Sequence, residues 1–170
     1  MKYDLDYYEN LLRNYSKTAE EINMIRWDWI SPINPKSVLD YGSGIGWFRA
    51  FRPPGVEVYS YDIGQYPQTG VEMRTYDVVC FWDVLEHIPD FNIIEPIMRL
   101  ANSVAISIPM RDGPLEGWKH FKPGEHLHYF THETLNALMS RYGFNYVRSG
   151  TPECPPRTDI ESFIYSRGVK

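Results

Sequence analysis

The chain has few of the features that would place it quickly in a class. Only two of its 170 residues are cysteine. Cys80 sits in an apolar run and Cys154 in a proline-rich segment, which is neither a metal spacing nor a disulfide framework, and a reducing compartment is the expectation. No stretch of 18 consecutive apolar residues occurs, and the opening "MKYDLDYYEN" has no apolar core of signal length, so the reading is a cytoplasmic protein without a membrane span. Basic residues do not dominate: 17 Lys and Arg stand against 22 Asp and Glu, a net charge of -5. That balance disfavours a nucleic-acid partner, which normally meets a basic face. There are no repeats and no low-complexity tract. With 43% hydrophobic residues, a chain of this length can bury one good core, and a single domain over 1–170 is expected.

What is present begins with "VLDYGSGIGW", residues 38–47, in which three glycines alternate behind an apolar run. Glycine inside a strand or helix costs roughly 0.5–1 kcal/mol relative to alanine, so three together call for a sharp turn or a close approach to the backbone. The neighbouring elements locate that turn. Residues 4–15 and 18–30 read as two helices, the second opened by Thr18 with Glu21 three residues on. "SVLDY" (37–41), "VEVYSYD" (56–62) and "YDVVCFW" (76–82) read as strands. A helix over 91–102, a strand over 103–109, a helix over 132–143 and two final strands, "FNYVRS" and "IESFIYS", complete the pattern. Strands alternating with helices imply an α/β fold with a mostly parallel sheet covered on both faces. The glycines then lie where the first strand ends, the place at which an open α/β sheet binds its ligand.

The spacing narrows the ligand. A GxGxxG dinucleotide fingerprint aligned on Gly42 or Gly44 needs glycine at 47 or 49, where Trp47 and Arg49 stand. The observed set, Asp40-x-Gly42-x-Gly44-x-Gly46, resembles motif I of the class I S-adenosylmethionine-dependent methyltransferases. Asp62 closes the second strand, "YDVVCFWDVLEHIPD" (76–90) looks like the family's fourth strand and the loop after it, and "GEHLHYFTHETLNALMSRYGF" (124–144) resembles a late segment of its "DVLEH" subgroup. The likeness covers roughly residues 36–150.

That resemblance implies a Rossmann-like, doubly wound sheet with an antiparallel strand near the C-terminus. It implies S-adenosyl-L-methionine as cofactor, held by Asp40, Gly42, Ser43, Gly44, Gly46, Asp62, Ile63, Trp82 and Asp83, with Asp62 accepting from the ribose hydroxyls. The reaction would be methyl transfer to the oxygen or nitrogen of a small-molecule acceptor. Two alternatives stand beside it: a non-catalytic cofactor-binding module, and a methyltransferase on nucleic acid or protein. Against the latter, the chain has no basic stripe and no Asn/Asp-Pro-Pro-Tyr motif. An acceptor hydroxyl or protonated amine needs a base, and His87, His126 and His128 are the candidates because imidazole titrates near neutrality.

Metal is not assigned. His120, His126, His128 and His132 fall in a loop and a helix start where structural histidines are the commoner outcome. A helical turn over "DVLEH" would share Asp83, Glu86 and His87 on one face, as in relatives that hold magnesium, but the favoured reading has Glu86 and His87 fixing the loop before Pro89. An N-terminal lid (1–35) carrying Tyr7, Tyr8, Tyr15, Trp27 and Trp29 is expected above the site. The chain departs from the family between Asp62 and Asp77, where only fourteen residues occupy the space of a helix, a strand and a loop. The third helix should be absent and the strand reduced to about "VEMR" or lost. That leaves the adenine side poorly walled, with an oligomer or partner a candidate to complete it.

Overall fold

The computed structural model of the protein describes residues 5–64, 71–111, 113–154 and 157–168. Six strands form one sheet in the order β2-β1-β3-β4-β6-β5, with β1 at Ser37–Tyr41, β2 at Glu57–Tyr61, β3 at Tyr76–Trp82, β4 at Ala101–Pro109, β5 at Asn145–Gly150 and β6 at Ile160–Ser166. The first four are parallel, while β6 runs antiparallel to β4 and β5 antiparallel to β6. This is the expected mostly parallel sheet with its antiparallel pair at the C-terminal edge. The chain leaves β1 toward β2 on one side and resumes with β3 on the other, which makes the carboxyl ends of β1 and β3 the switch point of the sheet.

Alternation along the strands feeds two cores. Val38, Val78, Cys80 and Trp82 face a layer with Trp27, Ile30 and Phe48. Leu39, Val79 and Phe81 face the opposite layer with Ile97, Met98, Leu135 and Met139. Burial on both faces explains why these strands read as continuous apolar runs rather than as alternating ones. The helices are α1 (Leu5–Ile30), α2 (Trp47–Ala50), α3 (Glu95–Leu100) and α4 (His132–Arg141).

The two expected N-terminal helices are one. No glycine or proline interrupts residues 5–30, and Ala19, Asn23, Trp27 and Ile30 bury a single stripe, so the Thr18…Glu21 signature falls mid-helix and caps nothing. The expected helix over 91–102 is a 3₁₀ segment at Phe91–Ile94 followed by the short α3, with the Asp90 carboxylate accepting from the Asn92 amide. Strand β4 takes over at Ala101 because its pairing with Tyr76 begins there. Helix α4 is closed by a Thr131–Thr134 capping box and a C-terminal Gly143 at φ 80°. Between β2 and β3 no strand or helix occurs among the described residues; Val71–Arg74 is irregular, and 65–70 lie outside them. No helix among the described residues is long and apolar enough to cross a membrane.

Candidate active site

The glycine turn is held by backbone bonds to the end of β2. The amides of Gly42 and Ser43 donate to the Tyr61 carbonyl at 2.7 and 3.0 Å, and that of Gly46 to Ser43 at 2.9 Å. Gly42 and Gly44 need to be glycine for different reasons. A Cβ at Gly42 would stand 2.4 Å from a methyl of Val84, so the turn packs against the loop after β3. At Gly44, φ is 55° and a Cβ would meet no atom within 4 Å, so the backbone there is left-handed and bare.

Asp62 ties this turn to the second strand. Its Oδ2 accepts from the Gly44 amide at 2.7 Å, and its Oδ1 from the Gly64 amide at 2.8 Å and the Tyr8 hydroxyl at 2.5 Å. Next to it Ile63 is exposed. Asp40, under the turn, is 1% exposed, and its Oδ2 has no hydrogen-bond partner among the described residues. Burial pushes its pKa up to about 7, against the pull of Arg26 and with a further push from Asp62.

At the end of β3, Trp82 packs on Phe48 at 5.4 Å and lies beneath the Arg26 guanidinium at 5.1 Å. Asp83 takes φ 59° and is gripped from two sides: Arg26 Nη2 reaches it at 2.9 Å, and both Nη atoms of Arg157 at 2.8 and 2.6 Å. Glu153, fully buried, accepts from Arg26 Nε at 2.9 Å and Arg157 Nη1 at 2.7 Å. Burial opposes ionisation of Asp83, but Arg157 and then Arg26 outweigh it and hold the carboxyl below its usual range. The four charges bolt α1 and the loop between β5 and β6 to the end of β3.

Asp83 therefore does not share a face with Glu86 and His87. Its left-handed backbone sends it to the arginines before the 3₁₀ turn Leu85–His87 begins. Glu86 gathers other company. The amides of Leu127 and His128 donate to its carbonyl at 2.7 and 3.2 Å, which brings His126 against His87, ring centroids 4.9 Å apart. Donor atoms of Glu86, His87 and His126 lie within 4.8 Å of one another. His87 Nδ1 is 2.9 Å from the Glu125 carbonyl, which can only accept, so Nδ1 carries a proton and, in the neutral ring, Nε2 is the atom with the lone pair. Glu86 is 2% exposed with Oε2 unpartnered among the described residues; burial, then the charge of Asp83, raises its pKa well above the usual carboxyl value. Burial and the neighbouring His87 lower that of His126. Two imidazoles and one carboxylate suit a transition-metal dication better than magnesium, which prefers oxygen donors.

The remaining candidates fall elsewhere. His128 hydrogen-bonds the Ile88 carbonyl at 2.9 Å and packs on Phe91, and His132 pairs with Glu161 at 2.9 Å. Trp27 is stacked on Phe48 at 4.2 Å, and Trp29 lies under Arg148 at 4.0 Å, so this end of α1 belongs to the packed layer. Of the expected lid aromatics, Tyr8 donates to Asp62 and Tyr7 stands edge-on to the Tyr8 ring; the Tyr15 side chain lies outside the described residues.

A family model described as a methyltransferase domain matches residues 26–149, which run from Arg26 through the glycine turn and the histidine cluster to β5. The chain belongs to the methyltransferase domain family. No curated protein matches it. Among solved structures, this methyltransferase is similar to magnesium protoporphyrin IX methyltransferase of Synechocystis with bound S-adenosylhomocysteine (19% identity, 88% of this chain and 83% of that one, TM-score 0.64). It is similar also to the 1,6-didemethyltoxoflavin-N1-methyltransferase of Burkholderia thailandensis (18%, 95% and 87%, TM-score 0.66). Human N-acetylserotonin methyltransferase superposes at TM-score 0.68 with 14% identity over 96% of this chain and 55% of its own. The chain spans 60% of the length of a Nostoc punctiforme protein that it matches at TM-score 0.69. These likenesses establish the fold of the methyltransferase.

Sequence reasoning missed Arg26, Glu153 and Arg157. No local signal marks them, because Arg26 and Glu153 lie 127 residues apart.

Proposed function

We propose that the protein transfers a methyl group from S-adenosyl-L-methionine to a small-molecule acceptor. The observation that carries this reading is the Asp62 carboxylate bonded to the Gly44 amide beside a bare glycine turn, at the switch point of the sheet. The crystallised neighbours with S-adenosylhomocysteine or S-adenosylmethionine bound support the same cofactor.

The cofactor, when bound, supplies an activated methyl on a sulfonium. This chain supplies placement. Asp62 offers acceptors for ribose hydroxyls, the 42–46 turn a surface that admits close approach, and Asp40 with Trp82 the floor beneath. Aligning a nucleophile with the methyl group contributes as much as about 7–11 kcal/mol to such reactions. On the acceptor side, the lone pair of His87 Nε2 takes the proton of a hydroxyl or amine as the new bond forms, with His126 beside it. Asp83, committed to its arginines, positions the loop rather than touching substrate. The Glu86, His87 and His126 donors favour a second reading, in which a divalent cation orients the acceptor. We read residues 1–170 as one unit, with a second subunit or partner completing the adenine side, where Val71–Arg74 gives no regular wall.

Calorimetric titration with S-adenosylmethionine and S-adenosylhomocysteine tests the cofactor assignment. Both should bind, and Asp62→Asn should weaken binding about 10- to 100-fold, as loss of hydrogen bonds to a charged acceptor does. Equal binding by parent and folded Asp62→Asn protein would move the site elsewhere.

A further inference from the structure

Helix α1 does not stop at the packed layer. Near its start, Tyr8 reaches across to the end of β2, where the ring is 1% exposed and the hydroxyl donates to Asp62 Oδ1 at 2.5 Å. The other carboxylate oxygen is taken by the Gly44 amide at 2.7 Å. The chain after Asp62 is shaped around this contact: a Cβ at Gly64 would fall 1.6 Å from the Tyr8 oxygen, so only glycine lets the phenol in. A phenol hydroxyl and a ribose hydroxyl are the same kind of donor to a carboxylate.

We propose that Tyr8 is a residue of the cofactor site, its hydroxyl holding on Asp62 the place that a ribose hydroxyl takes, and that the nucleoside enters by exchanging with it. This rests on the reading of Asp62 as the ribose acceptor. One hydrogen bond to a carboxylate is lost for one gained, so the tyrosine lowers cofactor affinity without adding a contact to the bound state. Helix termini fray readily, and the first two turns of α1 can leave while the Ala19–Ile30 stripe stays packed. The exchange couples cofactor entry to movement of the α1 start. In the free protein it keeps the Asp62 carboxylate hydrogen-bonded.

Tyr8→Phe keeps the ring and removes the competing hydroxyl. S-adenosylhomocysteine should bind this variant about tenfold more tightly than the parent in calorimetry, since a hydrogen bond to a charged group no longer has to be broken first. Hydrogen exchange of the unmodified protein gives an independent readout: adding S-adenosylhomocysteine should speed exchange over residues 5–12 while slowing it over 40–46. Unchanged or weaker binding by Tyr8→Phe, or slower exchange over 5–12, would overturn the exchange and make Tyr8 an ordinary wall of the site. Absence of binding in parent and variant alike, or binding that Asp62→Asn leaves intact, would instead overturn the assignment of Asp62 itself.

Discussion

The two halves of the proposed site are built from different materials. On the cofactor side, β1, the glycine turn and Asp62 are joined by backbone amides within a span of 25 residues, Asp40 to Gly64. On the acceptor side, side chains far apart in sequence meet: His87 with His126, and Arg26 with Asp83, Glu153 and Arg157. The first half is mainly a local conformation, fixed by glycine and strand ends, with Val84 against Gly42 and Tyr8 on Asp62 as its contacts from outside that span. The second is a tertiary assembly, and it exists only once α1, the 110–131 segment and the loop between β5 and β6 have docked. Cofactor binding should therefore survive changes that abolish turnover.

The largest effect expected from that difference lies at His87. Once an acceptor is in hand, His87→Ala should lower kcat by about 10²–10⁴, the range of a placed base, while calorimetric affinity for S-adenosylhomocysteine stays within a few-fold of the parent. A chelator separates the two readings of the cluster. If His87 is a metal-free base, turnover of the parent is unaffected; if Glu86, His87 and His126 hold a cation, turnover falls and returns on adding a transition-metal dication. Full activity of folded His87→Ala protein would remove the residue from the mechanism.

A smaller effect is expected at the ion network, and it should be felt in the fold. Glu153→Gln leaves Arg26 and Arg157 sharing the one carboxylate of Asp83, and loss of a partner from a buried ion pair costs about 3–5 kcal/mol. Chemical denaturation should show that loss in the midpoint. Arg26 also lies over Trp82 and faces Asp40, so the network touches the cofactor half through that one residue, and surviving folded protein should lose less cofactor affinity than turnover. A destabilisation within about 0.5 kcal/mol, the range of an ordinary surface change, would show that the network is dispensable.

The same division decides what the sequence disclosed. β1, β3 and β6 were legible to the residue because apolar runs between turn residues have one reading, and the glycine turn because its spacing with Asp40 and Asp62 is local. The break expected in α1 was wrong for a physical reason: a Thr-x-x-Glu pair caps only where the backbone is free to turn, and in this helix the Ala19, Asn23, Trp27 and Ile30 stripe runs unbroken past it. Asp83 is expected as a cofactor residue and as a neighbour of Glu86 and His87 on one helical face, but its bonds to Arg26 and Arg157 were not legible, because its φ of 59° reverses where a helical turn would send it. Nothing near Glu153 or Arg157 in sequence announces that they meet the end of β3. His126 was legible as a candidate, but its meeting with Glu86 depends on the amides of Leu127 and His128 finding the Glu86 carbonyl, pairings across 41 and 42 residues.

The smallest effect expected is one of pH, and it belongs to the cofactor half. Asp40 is faced by Arg26 from α1, by Asp62 beyond β2 and by Cys80 across the β1–β3 register. Its folded pKa, about 7, lies above the ordinary value of 3.8 that it has in the unfolded chain. A raised folded pKa means the neutral form is the one the fold prefers. The stabilisation from keeping that proton is complete below the unfolded value and is lost as pH rises through 7. Between pH 6 and pH 8 this single group should lower stability by on the order of 1 kcal/mol, with Asp40→Asn, which has no proton to lose, showing a flatter profile over the same range. Cofactor should act in the opposite sense. A sulfonium and an ammonium brought near Asp40 favour its ionised form, so S-adenosylmethionine should bind more tightly at pH 8 than at pH 6 by about tenfold, one proton being released on binding. Calorimetry in two buffers of different ionisation enthalpy would count that proton. A pH-independent affinity in the parent, matching that of Asp40→Asn, would mean that Asp40 braces the turn from below and does not sense the ligand.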